Sequence, residues 1–378
     1  MPPSPSLQQL LAAIDGIADE LEALAQPAEA ARRAPKELAA LVKAARIPMA
    51  KVPREVCGYE LSPAEQIDFF ARLAWINPTA SWLAFNQCGV AGILAAILPD
   101  DGVAEVFAED APLAAAVSAP TGKSEKVPSG YRVSGRWAYA SGVHVAQWIG
   151  LFTLADDPPG PRLVALRRDQ VELQDDWHVA ALQGTGSVDV IVDGAFVPEH
   201  LTAMPFMQLR GGPQYTKLGI KGYVAGENFG FSLGVAQRLV HEIAALSTTK
   251  KRYTNVATVS ERGAFRHALA QADCTLRASR AYLASELDEA MATVTSSGDL
   301  LPAEDMSRLE AASAWATEQA IQTAVKLFPY AGAGALHLSN PIQRALRDLI
   351  GSGQHIVVSN EGIDAWGETL VRTASQLG

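Results

Sequence analysis

The stretch 130-GYRVSGRWAYASGVHVAQWIG-150, read together with 176-DWHVAALQGTGSVDVIVDGAFVPEH-200, decides the fold class of this chain. Both segments alternate apolar and polar residues and are broken by Gly, Pro and Ser, which is strand and turn chemistry. Period-two order runs from about 112 to 225, with Tyr131 and Val133 before Gly135, and Val188, Val190, Val192 and Phe196 before Pro198. Working outward, the flanks turn helical. Leu7, Leu10, Leu11, Ile14, Ile17, Leu21 and Leu24 recur at three- and four-residue steps, and Pro27 and Pro35 punctuate them. Ser62-Pro63-Ala64-Glu65 starts a further helix with Pro in its first turn, and a break is expected at Asn77-Pro78. Four long Ala-rich segments, 226–247, 257–295, 303–328 and 341–373, suggest an antiparallel bundle. The expected class is therefore α+β, with an N-terminal helical domain over 1–111, a middle β domain over 112–225 and a C-terminal four-helix bundle over 226–378.

At 378 residues there is enough chain for two or three cores. A hydrophobic content of 48% with 19% charged residues fits a globular protein, and no run of about 18 uncharged apolar residues is read as a membrane span. Asp15 and Glu20 sit where a secretory signal would be basic and apolar, so a cytoplasmic location is the expectation. The net charge of −10 argues against nucleic acid as partner. Cys57, Cys88 and Cys274 lack CxxC spacing and are expected to be core thiols, and the seven dispersed histidines form no metal-binding pattern. The 184-GTGS-187 segment is not a phosphate loop, since no Lys follows it and a strand comes next. The glycines of 226-GENFGFSLG-234 are read as a helix start. Trp315 and Trp366 are expected in the core.

Three segments carry a resemblance. Gly135-Arg136-Trp137-Ala138-Tyr139-Ala140-Ser141-Gly142 supplies the close backbone, flat apolar wall and directed hydroxyl that a planar ring needs. Asp176-Trp177-His178-Val179, Gly184-Thr185-Gly186-Ser187 and Phe196-Val197-Pro198-Glu199-His200 follow, and 341-PIQRALRDLIGSGQHIVVSNEG-362 lies near the end. Together they resemble the acyl-CoA dehydrogenase superfamily, and within it the flavin-dependent two-component monooxygenases. The resemblance implies a barrel-like middle domain, a homotetramer, and reduced FMN or FAD delivered by a separate NAD(P)H-dependent flavin reductase. It places Trp137, Ala140, Ser141, Gly142 and Trp177 beside the flavin ring and Arg252, after Lys250 and Lys251, on its pyrophosphate. Asn86, Gln87, His144 and Gln147 fall where relatives hold substrate.

The resemblance also frames the choice of reaction. Many acyl-CoA dehydrogenases carry a basic Glu nine residues after the arginine that matches Arg347. Here that position is Ile356, preceded by His355. The segment 117-VSAPTGKSEKVPSGY-131 also lacks the dehydrogenases' Gly-Ser-Asp. The oxygenase branch is thus implied, with His355 as base toward a phenol, since an imidazole of ordinary pKa near 6.5 exchanges protons at neutral pH. Ser141 would guard the hydroperoxide that the flavin forms with dioxygen, and the substrate would be a small aromatic. The alternatives are an acyl-CoA dehydrogenase with Glu227 or Glu261 as base, and a non-catalytic flavin or ligand carrier.

Overall fold

The computed structural model describes residues 3–251 and 256–376. In chain order its main elements are α1 (Pro5–Asp15), α2 (Ala18–Ala23), α3 (Ala25–Ala31), α4 (Lys36–Ala44), α5 (Pro63–Ile76), α6 (Pro78–Ile97) and α7 (Asp100–Val106). Strands β1 (Ala114–Val127), β2 (Gly130–Trp137), β3 (Trp148–Asp156), β4 (Pro159–Arg167), β5 (Glu172–Gln174), β6 (Asp189–Pro198) and β7 (Thr202–Ala203) follow. Helices α8 (Gly219–Ser247), α9 (Gly263–Ser297), α10 (Ala303–Ala331), α11 (Pro341–Ser352) and α12 (Glu361–Gln376) complete the chain. The break at Asn77 falls where the following Pro requires it.

Backbone packing divides the chain into two units. The first comprises residues 1–62, 79–179 and 183–216, so α1–α4, α6 and α7 share it with the strands. Its sheet has the order β5-β6-β2-β1-β3-β4-β7; β1 and β3 run parallel and the other neighbours are antiparallel. The ladder shifts register between Val117 and Gly122 on β1 and between Val133 and Gly135 on β2. Both shifts serve one side chain. A Cβ on Gly122 would lie 1.9 Å from the Trp137 indole, and one on Gly135 would lie 2.9 Å from it. Helix α6 corrects the reading that no uncharged apolar run is long enough to span a membrane. Its 20 residues carry no charge and pass that test by length and composition. The window is 89% buried inside the protein, which makes α6 a core helix.

The second unit comprises residues 63–78, 180–182 and 217–378. Here α8 starts seven residues before the expected position, and 226-GENFGFSLG-234 lies inside it. The reason is packing. A Cβ on Gly226, Gly230 or Gly234 would approach the carbonyl oxygens of Pro63, Ile67 and Ala71 on α5 to 2.2, 2.7 and 2.1 Å. Glycine at four-residue steps lets the two backbones touch. Gly234→Ala is expected to destabilise the protein by about 1–3 kcal/mol, since a methyl forced against backbone cannot be relieved by a rotamer change. Gly367→Ala on α12, which meets nothing within 4 Å, should instead stabilise by roughly 0.5–1 kcal/mol. Chemical denaturation of the two variants checks the contrast.

Three further expectations are corrected. The fourth bundle segment, 341–373, is not one helix: α11 stops at Ser352 and α12 begins at Glu361, with a short 3-10 turn over Ile356–Val358 between them. Only Cys88 is a core thiol, whereas Cys57 and Cys274 are exposed. Trp315 is 39% exposed on the outer face of α10, edge-on to Tyr282, and Trp366 is half-buried.

Candidate active site

In the first unit, β2 ends at Trp137 and the chain enters a tight turn in which Tyr139 (φ 66°) and Gly142 (φ 75°) are left-handed. A tyrosine there is unusual, and non-glycine residues in that region cost about 1–3 kcal/mol unless the surroundings hold them. They do. The Ala140 amide donates to the Val188 carbonyl and the Gly142 amide to the Thr185 carbonyl, both at 3.0 Å, stitching the 139–142 turn to the 184–188 turn. Ser141 Oγ accepts from Trp82 Nε1 on α6 at 3.2 Å and shares a proton with Ser187 Oγ at 2.7 Å, which in turn shares one with Thr185 Oγ1 at 2.7 Å. If Thr185 donates into Ser187 and Ser187 into Ser141, the proton of the Ser141 hydroxyl is left for a ligand acceptor. The glycines of the GTGS segment are required by space: a Cβ on Gly184 would reach Thr79 Oγ1 at 2.5 Å and one on Gly186 the His144 ring at 2.8 Å.

The expected ring wall has to be reassigned. Trp137 is 0% exposed, lodged on Gly122 and Gly135, and its Nε1 donates to the Phe152 carbonyl at 2.8 Å. The indole is enclosed inside the protein. The aromatic that the turn presents instead is Tyr139, 73% exposed, standing edge-on to Trp177 with ring centroids 6.4 Å apart. Alternation would have put residues 137 and 139 on one face of a strand. The left-handed turn reverses the second, and the Tyr-Ala-Ser-Gly order was its only sequence signal. Trp177 is half-buried and well anchored: its Nε1 donates to the Gln183 carbonyl at 3.1 Å, and Arg32 donates to its own carbonyl at 3.0 Å. Two partly exposed aromatics, a buried hydroxyl and a glycine-lined backbone fit a flat heteroaromatic group such as an isoalloxazine.

Of the residues expected at the substrate, Gln87 is the most telling. It is 1% exposed, and neither Nε2 nor Oε1 has a hydrogen-bond partner. It lies on the α6 face between Leu83, which would meet a Cβ on Gly142, and Val90, which would meet one on Gly150. Asn86 is half-buried and bonds back to the Trp82 carbonyl at 3.4 Å. His144 is half-buried, its pKa lowered by burial and then by Arg33 and Arg168, against a raising effect of Asp175. Gln147 is committed to structure, bonding Glu109, Lys43 and the Leu113 amide. Arg252 lies outside the described residues.

In the second unit, the Arg347-Asp348 pair clamps the segment 180–182. Arg347 Nη1 donates to the Ala180 carbonyl at 2.6 Å, and Asp348 Oδ1 accepts from the Leu182 amide at 2.6 Å. His355 follows in the break between α11 and α12, as the capping residue of the 3-10 turn, with Nδ1 accepting from the Val357 amide at 3.4 Å. Burial pushes its pKa down to about 4, which corrects the expectation of an ordinary value near 6.5, so the imidazole is neutral at pH 7 and a weaker base than expected. With Nδ1 as acceptor, the proton of the neutral ring sits on Nε2. Because the unfolded histidine titrates near 6.5 and the folded one near 4, the unfolded state gains the extra proton between those values. Stability is therefore lost as pH falls from 6.5 toward 4. The melting temperature of the native protein should drop more between pH 7 and 5 than that of His355→Gln.

The residues of the rival reading fare differently. Glu261 is exposed and spent as a helix-capping carboxylate, accepting from the Thr258 amide and hydroxyl, which hold its pKa low. Glu227 is fully buried on α8.

Comparison with known proteins adds the following. Residues 230–360 match the family model "Acyl-CoA dehydrogenase, C-terminal domain". The chain is 26% identical to an indole-3-acetate monooxygenase of Pseudomonas putida over 83% of this chain and 81% of the other. It is 26% identical to the oxygenase component of an FADH2-dependent resorcinol hydroxylase of Rhizobium sp., over 94% and 92% of the two chains. The structure of XiaF from Streptomyces sp. in complex with FADH2 and glycerol superposes with a TM-score of 0.86 at 21% identity, covering 97% of this chain and 95% of that one.

Proposed function

We infer that this chain, which belongs to the acyl-CoA dehydrogenase superfamily in its flavin-dependent monooxygenase branch, is the oxygenase component of an enzyme that hydroxylates a small aromatic substrate. The observation that carries this reading is a neutral histidine, His355, in the turn where dehydrogenases of the family place a carboxylate. Bound reduced flavin supplies two electrons to dioxygen, so that one oxygen enters the substrate C–H bond and the other leaves as water. Everything else falls to the chain.

Tyr139 and Trp177 flank the flavin ring, and Ser141, polarised by Trp82 and Ser187, donates to it from a site closed to water. Ala140 and Gly142 contribute the backbone approach. Gln87, with Asn86 and His144 beside it on the same unit, hydrogen-bonds the substrate. His355 handles the phenol proton: it holds one at Nε2 and takes a second at Nδ1 once the long bond from the Val357 amide yields. Arg252 contacts the pyrophosphate if the flavin is FAD. A separate NAD(P)H-dependent reductase delivers the reduced FMN or FAD, and a cytoplasmic homotetramer is the working assembly.

The test mixes photoreduced flavin, protein and oxygen rapidly. An oxygen-dependent absorbance transient distinct from reduced and oxidised flavin, followed by hydroxylated product from a panel of phenols, is the expected result. Bleaching of bound flavin by an acyl-CoA under anaerobic conditions would instead establish a dehydrogenase.

A further inference from the structure

The second unit buries polar groups that the chemistry above does not use. Along α8, Val224, Asn228 and Ser232 recur at four-residue steps and share one face. Val224 packs against the cluster of Ala314, Val357 and Val358, while Ser232 Oγ meets Ser352 Oγ at 2.9 Å. The chain between those two anchors is 353–356, the turn that carries His355, and Asn228 occupies the middle of the face it spans. Asn228 is fully buried. Its Oδ1 contacts Thr317 Oγ1 at 3.5 Å, but its Nδ2 has no hydrogen-bond partner. One turn before Thr317 on α10, Ser313 is also buried, at 1% exposure, and its Oγ is likewise without a partner.

Native interiors leave very few such groups bare, because a desolvated donor without an acceptor is costly and an apolar residue of similar size avoids the loss. Two on adjacent helices beside one turn point to a ligand that completes them. Asn228 Nδ2 is a donor only, and Ser313 Oγ can donate, so the missing partner is an acceptor oxygen. Neither residue carries a charge, nor do the neighbouring Ser232, Thr317 and Ser352, which suits a carbonyl better than a carboxylate. Resting on the oxygenase reading above, we propose that Asn228 and Ser313 form a subsite beneath the His355 turn for a carbonyl oxygen of the substrate, which makes the substrate a keto-substituted phenol.

The experiment titrates the enzyme reconstituted with oxidised flavin with 2-, 3- and 4-hydroxyacetophenone and with the matching ethylphenols, in which a methylene replaces the carbonyl. At least one ketone should bind about tenfold more tightly than its ethyl counterpart, the effect of one buried hydrogen bond. Ser313→Ala and Asn228→Leu should each abolish that preference, and Ser313→Ala should do so without lowering the melting temperature of the ligand-free enzyme, since it removes only an unsatisfied group, whereas Asn228→Leu also takes the acceptor from Thr317. A merely structural role would lower stability and leave the preference intact. The proposal is overturned if no ketone is preferred by the native protein, if the preference survives in Ser313→Ala, or if both variants melt early because a structural water alone occupied the site. Should Asn228→Leu not fold, Ser313→Ala decides. Binding to oxidised flavoenzyme needs no turnover, so these outcomes are separate from failure of the oxygenase reading, which would appear as absence of oxygen-dependent product from every aromatic tested.

Discussion

His355→Ala is expected to lower oxygen-dependent product formation by about 10²–10⁴-fold, the usual contribution of a positioned proton-transfer residue. The turn that holds it should survive. Val357 and Val358 remain packed against Ala314, and Ser352 remains bonded to Ser232, so the flanks of residue 355 are anchored independently of its side chain. Flavin oxidation should continue, because electron transfer to dioxygen needs no proton from the substrate, and reducing equivalents would be lost as hydrogen peroxide. The measurement is the ratio of hydroxylated product to flavin oxidised. His355→Gln, which keeps an acceptor and a donor but cannot exchange a proton, should be as deficient as the alanine variant. Unchanged turnover in either would remove His355 from the reaction.

Ser141→Ala should produce the second-largest effect, on coupling and on stability together. The hydroxyl sits between two buried partners, and deleting it removes the acceptor that Trp82 Nε1 uses and the hydrogen bond to Ser187. Losing a buried partner costs about 1–3 kcal/mol, readable as a lowered midpoint of chemical unfolding. A pre-aimed donor in a water-excluded site contributes about 10²–10³ to rate, so peroxide release should rise and product fall by that order. Ser141→Thr, which retains the hydroxyl, should recover most of the coupling if the methyl is accommodated. Ser187→Ala separates the roles: it leaves the Ser141 hydroxyl in place but frees it to turn, so coupling should fall less than in Ser141→Ala while stability falls comparably.

The architecture was largely legible in the sequence because its signals are local. Period-two alternation in 130–137 and 188–198, helical spacing in 7–24 and proline at 63 and 78 each reflect geometry that a few neighbouring residues set. The dispositions that went astray depend on distant partners. Trp137 looked like a ring wall until Gly122, fifteen residues away on another strand, proved to be the space cut for it. The glycines of 226–234 looked like a helix start because their actual purpose, contact with the carbonyls of α5, lies some 160 residues upstream. The orphaned amide of Gln87 and the bare donors of Asn228 and Ser313 have no sequence signature at all, since a polar residue in an apolar helix reads the same whether or not it finds a partner.

By itself, the order of residues determined the α+β class, the helical flanks around a sheet and the absence of a carboxylate nine residues after Arg347. Tertiary structure alone decided that Tyr139 is exposed and Trp137 buried, that the last bundle segment breaks to place His355 in a turn, and that the imidazole is neutral. The physical reason is that periodicity and turn chemistry are properties of adjacent residues, whereas exposure, hydrogen-bond completion and proton affinity are set by whatever the folded chain brings alongside.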